Sequence, residues 1–302
     1  MKVILYVFSG TGNTLKVASL YKQYLSGAEV KVYRVAKNSP PPPSPEDFDL
    51  IGIGYPIHAF SAPEPILKFV KTLPPLLGKR AFVFKSSGEG LHLNDGSSQK
   101  LIKILKKKGY NVLFERHFVM PYNMIYRHSD EMAKQMWIYT KAMVKLSATE
   151  IENGTHKKVK QNIFKKAFSA VFRVVEQPFA HIHGPLFKVN KRKCIECGKC
   201  IKICPQANIK VNKDGKIKFG SACVLCMGCS FNCPVDAVKV GVFKFWKVNG
   251  SYRLNELAKD ESLYFPVVPD RAKGIYRLYK KYYRECDAQL KEANISVADF
   301  IN

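Results

Sequence analysis

Two cysteine runs with the same spacing constrain this chain of 302 residues more than any other feature. "CIECGKCIKICP" (194–205) and "CVLCMGCSFNCP" (223–234) both follow the pattern C-x2-C-x2-C-x3-C-P. This spacing places three thiolates around one iron–sulfur cube, while the fourth cysteine of each run binds the other cube. We therefore predict two [4Fe–4S] clusters with these ligand sets: Cys194, Cys197, Cys200 and Cys233 for the first, and Cys223, Cys226, Cys229 and Cys204 for the second.

Other uses of the cysteines fit the sequence less well. A zinc site would need four ligands at other spacings, usually with a longer arm between the ligand pairs, so zinc is the weaker alternative. The first residues lack the apolar length and the small-residue cleavage site of a secretory signal, which favours a cytoplasmic location with reduced thiols. The ninth cysteine, Cys286, lies in a helix-like segment and is expected to be a buried thiol rather than a ligand.

The residues around the cysteines also predict local structure. Gly198 and Gly228 are expected to let backbone amides approach the inorganic sulfides of the two clusters. "IKVNKDGKIKF" (209–219) is typical of a strand, a turn at Asp214–Gly215 and a second strand. The segment 188–240 is therefore expected to form a small unit of its own, with short strands and helices.

A glycine-rich loop follows the first apolar run of the chain. "FSGTGNT" (8–14) joins a predicted strand to a predicted helix, and amides at a helix N-terminus bind anions because they lack internal partners. Glycines let the backbone approach a ligand closely, while hydroxyl and amide side chains add donors. A phosphate monoester fits this loop, which lacks the lysine of a Walker A motif; the alternative is a plain tight turn. The predicted phosphate-binding residues are Ser9, Gly10, Thr11, Gly12, Asn13 and Thr14.

The first half of the chain alternates strand-like and helix-like stretches. Strands are predicted over 2–8, 29–35, 50–55, 81–86 and 110–120, and helices over 13–26, 63–73 and 97–108. Such alternation indicates an α/β fold with a parallel sheet covered on both faces. The proline-rich stretch 38–48 is expected to be extended, and 129–176 to be helical with a break near Asn153–Gly154.

The loop and the strand pattern together resemble flavodoxins. That resemblance implies a doubly wound parallel sheet in the order 2-1-3-4-5, with FMN at the switch point beside strands 1 and 3. It also implies two loops around the flavin ring, the second of which lacks the aromatic residue that flavodoxins usually place there. The implied ring-contacting residues are Tyr55, Pro56, Ile57, His58, Ala59 and Phe60 after the third strand, and Ser86, Ser87, Gly88 and Glu89 after the fourth. Tyr55, His58 and Phe60 are the candidates for stacking on the ring or lying at its edge, whereas Glu89 and His92 also fit ordinary loop positions.

The cysteine segment resembles a bacterial-type two-cluster ferredoxin, which implies a small α+β domain. The whole chain is similar to flavodoxin–ferredoxin fusion proteins of anaerobic bacteria and archaea. The expected organisation is a flavodoxin-like domain (1–150), a helical linker (151–187), a ferredoxin domain (188–240) and a partly helical tail without a recognised motif (241–302).

The net charge of the chain indicates which kind of partner it is expected to bind. The formal net charge is +25, and residues 151–240 hold 17 lysines and arginines against 5 acidic residues. Such a surface favours an acidic redox protein, and lysines such as Lys193, Lys199 and Lys202 would face it. No nucleic-acid recognition motif accompanies the charge, and no apolar run is long enough to span a bilayer. The basic, amphipathic stretch 157–175 is expected to pack on a neighbouring domain, with weak peripheral membrane contact as the alternative.

Two functions are compatible with these features. The first is electron transfer between the iron–sulfur clusters, FMN and a redox partner, because a flavin exchanges electrons in pairs or singly and a cluster exchanges one at a time. The second is an FMN-dependent reductase of a small acceptor, supplied with electrons by its own ferredoxin domain. No acid–base or nucleophile constellation supports further chemistry, so electron transfer is the leading hypothesis.

Overall fold

A five-stranded parallel sheet forms the centre of the first half of the chain. The computed structural model describes residues 1–157, 179–248 and 250–301. The strands are β1 (Lys2–Val7), β2 (Glu29–Arg34), β3 (Leu50–Pro56), β4 (Arg80–Ser87) and β5 (Asn111–Val119). Their order is β2-β1-β3-β4-β5, and every neighbouring pair is parallel. The predicted flavodoxin-like sheet is confirmed.

Helices cover both faces of this sheet. The helices α1 (Asn13–Tyr24) and α4 (Asp130–Glu152) lie on one face, and α2 (Glu64–Thr72) and α3 (Gln99–Lys107) lie on the other. Successive side chains of a strand point to opposite faces. In β1, therefore, Val3 and Leu5 pack towards α1 and α4, whereas Ile4 and Tyr6 pack towards α2.

Local signals fix both ends of α4. The Ser129 hydroxyl accepts a hydrogen bond from the Met132 amide at 3.2 Å and so caps the first turn. Asn153 ends the helix, and Gly154 follows with a positive φ of 70°, as the predicted break requires. The predicted continuation over 158–175 lies outside the described residues.

The proline-rich stretch 38–48 is largely extended, as expected, with one short 3-10 turn at Pro45–Asp47. Its carbonyls receive tyrosine hydroxyls: Tyr33 donates to Pro40 at 2.7 Å and Tyr6 donates to Pro43 at 2.7 Å. These bonds hold the crossover against the sheet.

The cysteine segment forms a separate small core. Strand β6 (Lys188–Val189) pairs antiparallel with β9 (Val238–Lys239), and β7 (Ile209–Val211) pairs antiparallel with β8 (Ile217–Phe219). Two short helices, α5 (Lys199–Ile203) and α6 (Gly228–Phe231), lie in the two cysteine runs. The predicted turn between β7 and β8 is present, with Gly215 at a φ of 71°. This is the small α+β region that the sequence predicts.

The last fifty residues are not a loose tail. Helices α7 (Leu254–Lys259) and α8 (Lys280–Glu292), with a 3-10 turn at Val297–Phe300, pack against α4 and β5. The buried residues Tyr252, Tyr283, Leu290 and Phe300 belong to the same hydrophobic core as α1 and α4. Cys286 is also buried in this core, as expected. Residues 250–301 therefore form an outer layer of the flavodoxin-like domain.

Among the described residues, no helix combines the length and the apolar character needed to cross a bilayer.

Candidate functional site

The two cysteine runs fold as an internal repeat with an offset of 29 residues, which is seen in the backbone. Positive φ angles occur at Glu196 and Leu225, and again at Ala207 and Asp236. The hydrogen bonds to sulfur repeat in the same way: the Glu196 amide donates to Cys194 Sγ and the Leu225 amide to Cys223 Sγ, both at 3.4 Å. Identical spacing therefore produces identical local folding in both runs.

The glycines of the two runs occupy different positions in the repeat, and their approach to the inorganic sulfides stays a prediction. Gly198 has a φ of 67°, and its counterpart in the second run is Met227, with a φ of 57°. Gly228 lies one position later in the repeat and has no positive φ. Its missing side chain serves a contact with another part of the chain, described below.

The thiols of the second run are grouped with the last cysteine of the first run. Burial, together with the negative charges of Cys223 and Cys204, raises the pKa of Cys226 to about 12. Burial also raises the pKa values of Cys223 and Cys229, and Cys204 contributes to both. Thiolates this close together need a positive partner, which iron supplies. Residues Cys204, Cys223, Cys226 and Cys229 thus form one predicted ligand set.

The other four cysteines are linked by the backbone. Burial raises the pKa of Cys200, and the neighbouring charges of Cys194 and Cys197 raise it further. Cys233 reaches this group through two strands: the Asn190 amide donates to the Ala237 carbonyl at 2.8 Å, and the Ala237 amide donates to Cys233 Sγ at 3.2 Å.

The thiol spacing bears on the kind of metal centre. In the part of the chain that the structure describes, no three His, Cys, Asp or Glu side chains are close enough together to hold a single metal ion. A single zinc ion needs sulfur ligands about 2.3 Å away, whereas the thiolates around a cube bind different iron atoms.

The glycine loop offers free backbone donors at its helix end. Within the described residues, the amides of Thr11, Asn13 and Thr14 have no hydrogen-bond acceptor, while the Gly12 amide donates to Ser9 Oγ at 3.2 Å. Gly12 has a φ of 107°, which only glycine adopts without strain. Unpaired amides at the start of α1 fit a phosphate group.

The side chains of this loop mostly bind neighbouring loops. Thr14 is fully buried, and its hydroxyl shares a 2.8 Å hydrogen bond with Ser86 Oγ. Asn13 Nδ2 donates to the Pro121 carbonyl at 3.1 Å. The predicted role of these side chains as phosphate donors is thus replaced by a role in holding the loops together, and the amides remain the candidate donors.

The loop after β3 makes a tight turn beside the second cysteine run. His58 and Ser61 exchange two backbone hydrogen bonds of 3.0 and 2.8 Å, and Ala59 and Phe60 between them have positive φ angles. Burial lowers the pKa of His58 to about 4, although a backbone hydrogen bond to Val224 opposes the shift. The Ile57 amide donates to the Ser86 carbonyl at 2.9 Å, which joins this loop to the next one.

Tyr55 differs from its sequence-based expectation. Its side chain is fully buried in the hydrophobic core between the sheet and helices α2 and α3. A ring in that position cannot stack on a flavin. Pro56, His58 and Phe60, which are partly exposed, remain in the loop that faces the site.

The loop after β4 is held by its own side chains. The Ser87 hydroxyl shares a 2.7 Å hydrogen bond with His117 Nε2, and the carboxylate of Glu89 accepts from the amides of Leu91 and Asn94. His92 Nε2 lies 2.9 Å from Glu285 in α8. Glu89 and His92 therefore shape and anchor this loop, and a contact of Glu89 with the flavin stays a prediction.

A fourth loop, which follows β5, also reaches the site and was not predicted from the sequence. Asn123 Nδ2 donates to Thr11 Oγ1 at 3.2 Å and to the Cys226 carbonyl at 3.4 Å, so it links the glycine loop to the cysteine run. The ring of Tyr122 lies against Gly88, where a Cβ atom would fall 2.5 Å from the ring. Only the sheet topology could have indicated that this loop reaches the site, because loops after parallel strands meet at one edge of the sheet.

The C-terminal layer also reaches the site. Tyr279 donates its hydroxyl hydrogen to the Gly88 carbonyl at 2.5 Å, and His128 Nε2 lies 3.1 Å from the same hydroxyl. Because His128 Nδ1 accepts from the Tyr122 amide at 3.3 Å, Nε2 carries the proton and faces the hydroxyls of Tyr279 and Tyr126, each at 3.1 Å. Burial lowers the pKa of His128 to about 3, so this ring is neutral at pH 7.

The glycine loop and the second cysteine run are in direct contact. A Cβ atom on Gly10 would lie 2.5 Å from Cys226 Cβ, and one on Gly228 would lie 2.4 Å from the Gly10 carbonyl oxygen. Nearby, Arg34 donates to the Ile203 carbonyl at 2.8 Å and the Lys37 amide donates to Pro205 at 2.9 Å. The predicted phosphate site and one set of thiols therefore lie side by side.

Comparisons with known proteins agree with the cysteine half of this site. The family model of the 4Fe-4S binding domain matches residues 187–210. A ferredoxin of Methanocaldococcus jannaschii, described as uncharacterized, is 33% identical over 60 residues, which cover 18% of this chain and 78% of that protein. The N-terminal half has the flavodoxin strand order, and flavodoxins are among its structural neighbours.

This chain is a fusion of a flavodoxin-like fold with a ferredoxin domain.

The structural neighbours of the fusion protein align with its flavodoxin-like half. A flavodoxin from the domain Archaea is 16% identical, with a TM-score of 0.34, and the match covers 50% of this chain and 99% of that one. A Fusobacterium nucleatum flavodoxin mutant bound to flavin mononucleotide is 18% identical, with a TM-score of 0.37, and covers 51% and 96%. At such identities the similarity concerns the fold alone.

The ferredoxin domain of the fusion protein matches a 4Fe-4S binding family, which indicates an iron–sulfur centre and a role in electron transfer.

Proposed function

We propose that this fusion protein is an electron carrier with two [4Fe–4S] clusters and one FMN, and that it exchanges electrons with an acidic redox protein. Cys194, Cys197, Cys200 and Cys233 would hold the outer cluster, and Cys204, Cys223, Cys226 and Cys229 the inner one. The amides of Thr11, Asn13 and Thr14 would hold the FMN phosphate.

One observation carries the proposal: the loop for the flavin phosphate lies against the second cysteine run. Gly10 lies so close to Cys226 that a Cβ atom on Gly10 would fall 2.5 Å from Cys226 Cβ. Asn123 bridges the same two segments through Thr11 and the Cys226 carbonyl. A rigid contact of this kind keeps two redox sites at a fixed separation, whereas a flexible linker would let the separation vary.

The bound groups supply the redox chemistry, because a flavin exchanges one or two electrons and each cluster exchanges one. The chain itself positions these groups and controls access of water. Ser9, Thr14 and Ser86 are buried, and Val224 and Cys226 join the hydrophobic core that contains Ile4 and Tyr55.

The outer set of thiols marks the edge where a partner would dock. Cys197 is exposed, and the Ile195 side chain beside it is 60% exposed. Lys193, Lys199 and Lys202 are exposed around the same loop. Positive charge around an exposed redox centre attracts an acidic partner and raises the rate of encounter.

The reductase alternative depends on an open flavin face. The sequence places no aromatic residue in the loop after β4, but the structure brings the Tyr122 ring against Gly88 in that loop. Tyr279 closes the same loop from the C-terminal layer. These contacts favour the electron carrier over an enzyme with a small acceptor at this position.

The first experiment measures cofactor content. Protein purified under anaerobic conditions is expected to contain about eight iron atoms and about one FMN per chain. The Cys226→Ala variant is expected to lose about half of the iron. Four iron atoms in the unmodified protein would contradict the second cluster, and absence of a yellow chromophore would contradict the flavin site.

The second experiment tests the docking edge. An acidic ferredoxin, chemically reduced, is mixed with the protein in a stopped-flow instrument, and bleaching of the flavin is followed at low ionic strength. The triple variant Lys193→Glu, Lys199→Glu, Lys202→Glu is expected to react at least about tenfold more slowly. The matched control changes Lys103, Lys106 and Lys107 on α3 to Glu, which gives the same net charge at another surface. Equal slowing in both variants would refute the docking edge, and saturable turnover of a small organic oxidant would favour the reductase.

A further inference from the structure

Exposed apolar side chains are concentrated in two short segments of the fusion protein. Fifteen large hydrophobic residues are exposed among the described residues, and six of these lie within 179–186 and 241–246. The side chain of Phe245 is 81% exposed, that of Ile182 is 64% exposed and that of Trp246 is 53% exposed. We call the six residues the aromatic patch: Phe179, Ile182, Leu186, Val242, Phe245 and Trp246.

The two segments form a single surface around one buried ring. Phe243 belongs to the core of the ferredoxin domain, and its ring centre lies 5.6 Å from that of Phe179 and 6.1 Å from that of Trp246. A Cβ atom on Gly241 would lie 3.6 Å from Leu186 Cβ. The aromatic patch is therefore continuous and not a set of scattered residues.

The backbone beneath the aromatic patch is fixed. The Ile125 amide donates to the Trp246 carbonyl at 2.7 Å, which ties the segment to the loop after β5. Lys247 forms an ion pair with Asp236 and donates to the Val238 carbonyl at 2.8 Å. With Phe243 buried on one side, the neighbouring Phe245 and Trp246 are held outwards.

The surroundings of the aromatic patch are basic. No Asp or Glu occurs in 179–193 or in 237–248. Lys188, Lys239 and Lys244 are exposed in these segments, and Lys244 Nζ lies 4.7 Å from the centre of the Phe245 ring. An apolar surface with lysines around it is complementary to a partner that has an apolar interior and a negatively charged exterior.

We propose that the aromatic patch binds the surface of an anionic lipid bilayer. Tryptophan and phenylalanine insert at the level of the lipid headgroups, and adjacent lysines are attracted to anionic lipids. A second copy of the chain is a poor occupant, because pairing two identical patches would bring lysines against lysines. The aromatic patch contains none of the predicted cofactor-binding residues, although Gly184 beneath it packs against Cys223, and the proposal does not depend on the proposed function.

Vesicle co-sedimentation of the full chain tests the proposal. Two probes are compared at low ionic strength: vesicles of phosphatidylcholine alone, and vesicles with about one third phosphatidylserine. We expect the protein to pellet with the anionic vesicles, to remain in solution with the neutral ones, and to be released when salt is raised.

Paired variants show which surface binds. The double variant Phe245→Ser, Trp246→Ser is expected to bind anionic vesicles at least about tenfold more weakly. Its matched control is Leu77→Ser, Ile275→Ser, which removes two exposed apolar side chains outside the aromatic patch. In the same way, Lys188→Glu, Lys244→Glu should weaken binding more than Lys103→Glu, Lys106→Glu. An unchanged far-UV circular dichroism spectrum and an unchanged urea-unfolding midpoint show that each variant is folded.

Three outcomes would overturn the proposal. The first is failure of the unmodified protein to bind anionic vesicles. The second is equal binding by the patch variant and its control, which would place the lipid contact elsewhere, for example in the basic stretch 158–178. The third is concentration-dependent dimerisation without lipid that the Phe245→Ser, Trp246→Ser variant abolishes, because the aromatic patch would then be an interface between two copies.

Discussion

Met227 and Gly228 are adjacent in the second cysteine run, and different contacts determine the residue type at each position. Met227 has a positive φ of 57° where the first run has Gly198, yet its side chain is buried in the core of the ferredoxin domain. A left-handed conformation costs a non-glycine residue roughly 1 to 2 kcal/mol, and burial of the methionine offsets that cost. At position 228, by contrast, glycine is required because the Gly10 carbonyl oxygen leaves no room for a Cβ atom.

Gly228→Ala is therefore expected to disturb the contact between the domains. The added methyl group would lie 2.4 Å from the Gly10 carbonyl oxygen, so the backbone must move. We expect a loss of about 1 to 3 kcal/mol in the free energy of unfolding, together with weaker FMN binding. Urea unfolding and flavin fluorescence titration measure the two effects. Lys199→Ala, at the equivalent exposed position of the first run, is the control, and similar losses in both variants would contradict this explanation.

His128 gives the fold a sensitivity to acid. Its pKa in the folded protein is about 3, below the usual 6.5 of an unfolded chain, because the ring is buried. Between these two values the unfolded chain binds more protons, so stability is lost as pH falls below 6.5. The loss attributable to His128 is at most about 1.4 kcal/mol for each pH unit.

The variant His128→Asn tests this contribution. It removes the titrating group, so its unfolding free energy should fall less steeply between pH 6.5 and pH 4 than that of the unmodified protein. The exposed His156→Asn variant serves as the control. Identical pH slopes for all three proteins would show that His128 does not account for the acid sensitivity.

At the level of elements, four loops and residues of the C-terminal layer surround the proposed flavin site. The loops after β1, β3 and β4 were predicted because apolar periodicity defines the strands and parallel strands place their C-terminal loops at one edge. Observed strand bounds differ from the predicted ones by one residue at most. Asn123 and Tyr122 escaped prediction because their role depends on contacts with residues more than thirty positions away.

Tyr279 tests whether the C-terminal layer positions the flavin loop. Tyr279→Phe removes the hydroxyl that donates to the Gly88 carbonyl and leaves that carbonyl and His128 Nε2 without this partner. An unsatisfied buried polar group costs about 1 to 3 kcal/mol, so FMN affinity should fall by about fivefold or more. The readouts are the FMN dissociation constant and the flavin midpoint potential.

Tyr276→Phe is the matched control for Tyr279→Phe. Its hydroxyl accepts from the Ser129 amide at 2.9 Å, at the start of α4 and away from Gly88. We expect Tyr276→Phe to lower stability without changing the flavin potential. A change of potential in both variants, or in neither, would argue against a specific role of Tyr279.

At the scale of the whole molecule, the two domains could be predicted from the sequence, but the way in which they pack together could not. The cysteine spacing and the glycine loop are local patterns, so both could be recognised from short stretches of sequence. The contact of Gly10 with Gly228, and the burial of Tyr252 and Tyr283 beside α4, join residues more than a hundred positions apart. No local pattern reports such contacts, and the 241–302 segment was accordingly expected to be a tail.

Two of the three hydrophobic cores allow a final prediction at this scale. Residues 252–300 contribute to the core of α1 and α4, whereas the ferredoxin core around Phe187, Phe219 and Phe243 is separate. A chain that ends at residue 248 would expose the outer face of α4 and would lose Tyr279 from the flavin loop. We expect this truncated protein to lose its FMN while it keeps most of its iron, because the thiol groups are held by the second core. The iron-to-flavin ratio per chain measures this directly. Retention of both groups at full occupancy would show that the C-terminal layer is dispensable, and loss of both would show that the two cores are one cooperative unit.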